Sequence, residues 1–263
     1  MSWFKDDSIL TDERPQQTVA DGVLLERRSL LRLSAATLAA GVAASCAGVS
    51  QNRSTRSAEL TAAREQPRSS GTLGLAEFMT EMSPRARSFI ASGGQREEAY
   101  LMGVGELMAR LETPTQAQAM DTTRSHIEGR RAAETPIDFV VLMFSLEPGK
   151  GFSHHDHRDY NGVILGVEGE AHVTNYDILG DNPVPAEGEL FQIRQTRDDL
   201  ILPGRFSSLG TSRDNIHELI AGPDGATVID VFTFMVEGAK SYNMNVDAQP
   251  RDAERKIYEA TWA

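Results

Sequence analysis

Between residues 138 and 234 the sequence breaks into short apolar runs rich in β-branched and aromatic residues, at 138–146, 163–167, 171–176, 190–194, 199–202, 216–221 and 226–234. Glycine and proline fill the gaps between them. Runs this short are too brief for helical stripes. With turn residues between them they predict strands of an antiparallel sandwich or barrel, and roughly a hundred residues suffice for a small double-sheet jelly roll.

The stretch ahead of these runs has a different period. From residue 73 to 134 apolar positions recur at spacings of three and four: Leu75, Phe78, Met79 and Met82, then Tyr100, Leu101, Val104, Leu107, Met108 and Leu111. This predicts a helical segment in which Ser83-Pro84 breaks or restarts the first helix, Gly93-Gly94 stops the second, and Thr113-Pro114 opens a more polar one running toward Arg130. Residues 48–72, rich in Ser, Arg, Thr and Gln, read as a flexible linker. Residues 237–263 are a polar C-terminal extension with a short helix expected over 253–260.

Residues 1–47 read as an address. Glu26-Arg27-Arg28-Ser29-Leu30-Leu31-Arg32 precedes an uncharged, Ala-rich apolar run that ends in Ser45-Cys46-Ala47-Gly48. Paired arginines before a weakly apolar stretch and a small-residue exit resemble a twin-arginine export signal. The expectation is an exported protein of the periplasm or cell envelope, anchored to a membrane through Cys46 only if that residue is lipidated. Cys46 is the single cysteine, so no internal disulfide can staple the fold. The 38 acidic residues exceed the 26 Lys and Arg, for a net charge of −12. That balance argues against a nucleic-acid partner, which needs a basic footprint.

The chemistry concentrates in the histidines. Three crowd into Ser153-His154-His155-Asp156-His157. On a strand, alternate residues share a face, so His155 and His157 aim into one cavity while His154 and Asp156 turn the other way. Two imidazoles do not complete a metal site, and His217, in Asp214-Asn215-Ile216-His217, can close the set if the sheet folds over. Around them the spacing is Gly149, five residues, His155, one residue, His157, four residues, Gly162, six residues, Gly169. This resembles the first metal motif of cupins, in which the position of Gly162 usually carries a glutamate ligand. Without that anion, three neutral imidazoles leave a divalent ion its full charge and an open position, which suits a soft thiolate on Fe(II).

The run GFSHHDHRDYNGVILGVEGEAHVTNYD (151–177), with SRDNIHEL (212–219) and Val228-Ile229-Asp230-Val231, resembles the cysteamine dioxygenase and plant cysteine oxidase family over residues 136–235. The resemblance implies a mainly β cupin domain at 135–236, a jelly-roll barrel preceded here by the helical segment at 73–134. It also implies Fe(II) as cofactor, held by His155, His157 and His217, with a small thiol and O2 as partners and a sulfinate as product. This chain has Arg158-Asp159-Tyr160 where the family commonly has Pro-Gly-Met, so its substrate pocket is expected to differ. A thioether crosslink of the cysteine dioxygenase kind is absent, because Cys46 lies in the leader.

Tyr160 is the candidate catalytic residue beside the metal. Arg158, Arg205 and Arg213 are candidate forks for a substrate carboxylate. Val163, Leu165 and Val167 are the expected inward apolar wall. The rival readings are a cupin with another metal and non-oxygenase chemistry, and a non-catalytic ligand-binding cupin.

Overall fold

A computed structural model describes residues 73–181 and 183–263. The expected export signal at 1–47, with Cys46, and the expected linker at 48–72 lie outside the described residues. Three helices come first: α1 (Leu75–Ala91), α2 (Glu97–Met108) and α3 (Gln116–Ala132). Helix α1 runs unbroken through Pro84, against the expected break. Its buried face of Phe78, Met79, Met82, Ala86 and Phe89 is contiguous across the proline, and that packing outweighs the one lost backbone bond. Helix α3 starts at Thr115 with a capping box, in which Thr115 and Gln118 satisfy each other's backbone amides. No helix among the described residues is long and apolar enough to cross a membrane.

The strands are β1 (Phe139–Leu146), β2 (Gly151–Asp156), β3 (Tyr160–Leu179), β4 (Leu190–Ile201), β5 (Phe206–Leu209), β6 (Ile216–Phe234), β7 (Met244–Val246) and β8 (Ile257–Trp262). All pair antiparallel in the order β1-β6-β3-β4-β8-β7, with β2 also on β6 and β5 also on β3. The long strands β3 and β6 each serve two leaves. Their first and second halves pair with different neighbours, and the register shifts between them near Gly166–Ala171. Gly169 makes the corner: its φ is +65°, and a Cβ there would sit 2.1 Å from the Gly225 carbonyl oxygen. The result is the mainly β jelly-roll barrel, with helices ahead of it, that the sequence predicts for a cupin.

The helices cover one leaf from outside. Leu101, Val104, Leu107 and Met108 join Phe78 and Met82 against Phe139, Val141, Val163, Leu165, Val167, Ile229 and Val231. Val163, Leu165 and Val167 therefore face the helices, the reverse of the expected parity. The inward residues are their neighbours Tyr160, Gly162 and Ile164. The helical segment supplies apolar cover that lets the barrel present an apolar outer face, which is why those three strand positions carry valine and leucine.

Asp138, at the foot of β1, ties the helices to the barrel. Its side chain is 2% exposed and receives His126 of α3 at 2.8 Å, with Ser83 of α1 at 3.4 Å and Arg130 at 3.8 Å. Burial alone would raise its pKa, but the hydrogen bond from His126 and the charges of His126 and Arg130 outweigh it and hold the carboxyl below its ordinary value. A depressed carboxylate stabilises the fold fully above the ordinary carboxylate pKa of about 3.9 and loses that contribution as pH falls through the native value. Asp138→Asn should therefore cost about 1–3 kcal/mol at neutral pH. Urea titrations of both proteins should show this difference shrinking below about pH 4; a gap that stays constant into acid would refute the assignment.

The C-terminal extension holds no helix over 253–260. Instead β8 pairs with the start of β4 from Leu190↔Thr261 to Arg194↔Ile257, and β7 pairs with β8. An isolated bridge between Asn243 and His155 then joins this hairpin to β2. Tyr258, Ala260 and Trp262 alternate with Ile257, Glu259 and Thr261, and Ala260 and Trp262 enter a core with Phe191, Ile193, Tyr176, Ile216 and Met244. The period-2 pattern of these last residues is a strand signal that the polar residues before it obscure.

Candidate metal centre

Strand β2 carries His155 directly opposite His217 of β6. A register shift between Phe152 and His155 re-aims this end of β2. His157 follows just beyond the strand, where its backbone N–H donates to the Asn215 carbonyl at 2.7 Å. That bond ties the ligand segment of β2 to the turn before His217. The turn itself depends on Asp214, which takes a left-handed φ of +53° and donates its N–H to the Asp177 carboxylate at 2.6 Å.

The three rings converge. The Nε2 of His155 lies 2.9 Å from that of His217 and 3.3 Å from that of His157. The ligand atoms of the set all lie within 4.8 Å of one another. Among the described residues no carboxylate belongs to this cluster. Burial pushes the pKa of all three imidazoles below the ordinary histidine value, well below for His157 and His217, where neighbouring histidines add to the effect. The rings are therefore neutral at physiological pH, the form that binds a metal.

The tautomer at His155 points the same way. Its Nδ1 lies 2.7 Å from the Ser153 carbonyl, which can only accept, so Nδ1 carries the proton and Nε2 turns its lone pair toward the other two rings. Three imidazole nitrogens at this spacing can share a cation, and a divalent ion fits the donor set. Metal binding by His155, His157 and His217 is the chemistry this arrangement supports.

The surrounding wall is aromatic on one side and acidic beyond it. Tyr160 lies with its ring centroid 4.3 Å from that of His157, and Phe232 lies 5.7 Å from it. Asp230 projects from β6 on the same face as Phe232. A Cβ built on Gly162 would meet Phe232 at 3.1 Å and the Asp230 Oδ1 at 3.4 Å. The space that a larger residue at 162 would take is thus closed by these two side chains.

Asp230 is buried, and its Oδ1 finds no hydrogen-bond partner. Burial pushes its pKa well up, only partly offset by the Val231 N–H. A buried carboxyl in this condition is costly, and the sequence shows it only as part of a family pattern. The signal was a single acid in the otherwise apolar run Val228-Ile229-Asp230-Val231, since an aspartate is almost never fully buried unless paired.

The other expected site residues are placed differently. Tyr160 is buried with its hydroxyl hydrogen-bonded to Ser241, so the ring walls His157 while the oxygen is engaged by the C-terminal segment. The Arg158 guanidinium is engaged within the protein. It pairs with Asp156, donates to the Pro183 carbonyl at 3.1 Å, and lies over the rings of Trp262 and Tyr242 at 4.9 and 5.3 Å. Arg205 sits half-buried at the turn into β5, its carbonyl accepting from the Gly166 N–H, about 20 Å along β3 from Tyr160. Arg213 is exposed on the turn before β6.

Of the remaining histidines, His154 turns away from the cluster toward Tyr176 and Glu218, at 3.4 and 3.6 Å, and burial pushes its pKa down to about 4. His172 is largely exposed beside Asp198, and His126 serves Asp138.

No family model matches the sequence, and no curated protein matches it. Among solved structures, peruvianin-I, a cysteine peptidase from Thevetia peruviana latex, is 15% identical over 39% of this chain and 55% of its own, with a TM-score of 0.30. An oxalate oxidase in complex with glycolate is 17% identical over 38% of this chain and 44% of its own, at a TM-score of 0.28. A cupin superfamily protein from Desulfitobacterium hafniense is 14% identical over 37% and 68%, at 0.26. The chain thus spans about half the length of the first two. No activity carries across at such similarity.

Proposed function

We propose that this chain is a mononuclear non-haem iron(II) dioxygenase that converts the thiol of a small aminothiol, or of a peptide's N-terminal cysteine, to a sulfinate. The observation that carries this reading is the convergence of three neutral imidazoles with no carboxylate in the cluster among the described residues. Iron(II) held by such a set keeps its full charge and open positions, and so supplies thiolate binding and O2 activation.

The reaction balances without a further reductant. The S–H bond and the O=O bond break, two S–O bonds form, sulfur gives four electrons to O2, and the proton leaves with the sulfinic acid. The protein's own share is orientation and exclusion of water. Tyr160 and Phe232 form a dry aromatic wall against His157. Asp230 offers the substrate's second group a buried, unpartnered carboxyl oxygen. That group is then a cationic amine, because an ammonium both supplies hydrogen bonds and stabilises the ionised carboxylate that burial disfavours.

The test is product mass spectrometry on iron-loaded protein under ¹⁸O2 with cysteamine, cysteine, 3-mercaptopropionate and a Cys-initiated peptide. The expected product is a sulfinate carrying two ¹⁸O atoms from the amine-bearing thiols, with 3-mercaptopropionate turned over least. Iron-loaded protein that consumes no O2 with any of the four thiols would overturn the proposal in favour of another metal or a binding role.

A further inference from the structure

The Asp156–Arg158 pair and the C-terminal segment meet on the side of β2 away from the histidine cluster. Four consecutive residues of that segment run along the stretch that carries His155 and His157. The Lys240 N–H donates to Asp159 Oδ2 at 3.2 Å. The Ser241 hydroxyl donates to the Asp156 carbonyl at 3.0 Å and also engages the Tyr160 hydroxyl, so one side chain touches a residue on either side of His157. Tyr242 and Asp156 exchange two bonds: the Tyr242 N–H donates to Asp156 Oδ1 at 2.8 Å, and the Asp156 N–H to the Tyr242 carbonyl at 3.1 Å. Asn243 bridges to His155.

Behind this zipper the Asp156 side chain is fully buried and paired with Arg158, whose guanidinium is covered by Trp262 and Tyr242. Every residue from 155 to 160 except His157 and Arg158 thus has a polar or bridging tie to residues 240–243, and Arg158 is held by the rings. His157 itself is fixed from the other side, by the Asn215 carbonyl and the Tyr160 ring.

A segment bonded this densely holds its backbone in place and so fixes the directions in which its remaining side chains leave the chain. Buried charge is costly, and a buried ion pair adds little net stability compared with an apolar filling of the same space. This pair brackets His157, with Asp156 between the two ligands and Arg158 just after the second, and that placement calls for another role. We propose that residues 240–243, with Trp262 and the Asp156–Arg158 pair, are a positioning clamp that holds His155 and His157 in metal-binding geometry, so that the C-terminal segment sets the affinity and coordination of the centre. This rests on the metal site of the proposed function, and it assigns Arg158, Asp156 and Ser241 as positioning residues.

Such outer support of metal ligands is typically worth 10–100-fold in affinity. The test uses the full chain loaded with Co(II), whose d–d absorption reports ligand geometry, alongside thermal unfolding of the metal-free protein. The double variant Asp156→Asn, Arg158→Met removes both charges together and avoids stranding either one. Ser241→Ala removes a single hydroxyl and serves where the double variant fails to fold. Either folded variant should bind Co(II) about 10–100-fold more weakly, with an altered visible spectrum, while its metal-free unfolding midpoint stays near that of the parent. Wild-type affinity and spectrum in a folded variant would overturn the clamp and leave the triad intact. A parent chain that binds no Co(II), and whose His217→Ala variant behaves identically, would sink the metal centre itself.

Discussion

Replacing His217 by alanine is expected to empty the metal centre and reduce thiol-dependent oxygen uptake to background. His217 comes from β6, whereas His155 and His157 come from one short stretch at the end of β2, so it alone brings the second element into the set. Two imidazoles remain after its loss, and a stable protein metal site needs a third protein ligand. The loss in metal affinity should exceed the roughly 100-fold expected for removing an outer partner. Metal analysis of the purified variant checks this directly, with circular dichroism to show that the barrel is intact.

Two further readouts separate loss of metal from loss of fold. In the parent chain, added iron should stabilise the fold by mass action, by about 2.7 kcal/mol at a hundred times the dissociation constant, and so raise the unfolding midpoint, and in the variant it should not. The second readout is the pH dependence of the metal-free proteins. Burial holds the native pKa of His217 well below that of an unfolded histidine, near 6.5, so below that pH the unfolded chain binds a proton that the native chain does not. Each such histidine therefore destabilises the metal-free fold progressively as pH falls beneath about 6.5. With one of the three removed, the variant should lose stability less steeply on acidification than the parent. Equal slopes, or a variant that still takes up one iron per chain, would contradict the ligand assignment.

The features legible in the sequence were those that depend on local period and spacing. The strand runs, the glycine at the Gly169 corner, the helical stripes of α1 and α2 and the His-x-His pair with a distant third histidine are all statements about residues close together or about one repeating pattern. What escaped depends on partners that no local pattern names. Alternation does not set the parity of Val163, Leu165 and Val167, because both faces of that leaf are apolar: one meets the barrel interior and the other meets α1 and α2.

A guanidinium fork marks Arg158 as a candidate for a substrate carboxylate, but no local pattern names the partners that hold it, Asp156 two residues before it and Trp262 more than a hundred residues after it. The C-terminal strand was masked by the polar residues at 247–256, although Ile257, Tyr258, Ala260 and Trp262 carry the apolar content of a pairing edge. Helix α1 survived Pro84 because propensity is a weak force beside five buried apolar side chains.

Asp230→Asn separates the substrate site from the metal site. The substitution keeps the shape of the side chain and removes its capacity for charge. In the parent chain the carboxyl is buried, its Oδ1 is unpartnered, and its pKa is pushed well up by burial, a condition that costs stability. The amide should therefore leave the fold as stable as before or more so, and metal content should not change, because Asp230 stands outside the cluster of ligand atoms. Function should respond in the opposite direction.

A charge-assisted hydrogen bond between this carboxylate and a substrate ammonium is worth about 1.5–3 kcal/mol, so kcat/KM for cysteamine or a Cys-initiated peptide should fall roughly 10- to 150-fold. The loss should be much smaller for 3-mercaptopropionate, which offers no amine to the site, and the preference among thiols should flatten accordingly. Gain of stability with loss of efficiency is the pattern expected where a protein retains a poorly solvated group for its chemistry. If the variant instead turns over every thiol like the parent, the acid is a structural oddity of the barrel and recognition of the amine must come from elsewhere. If it loses the metal as well, Asp230 belongs to the coordination sphere, and the three-imidazole basis for sulfur oxygenation goes with it.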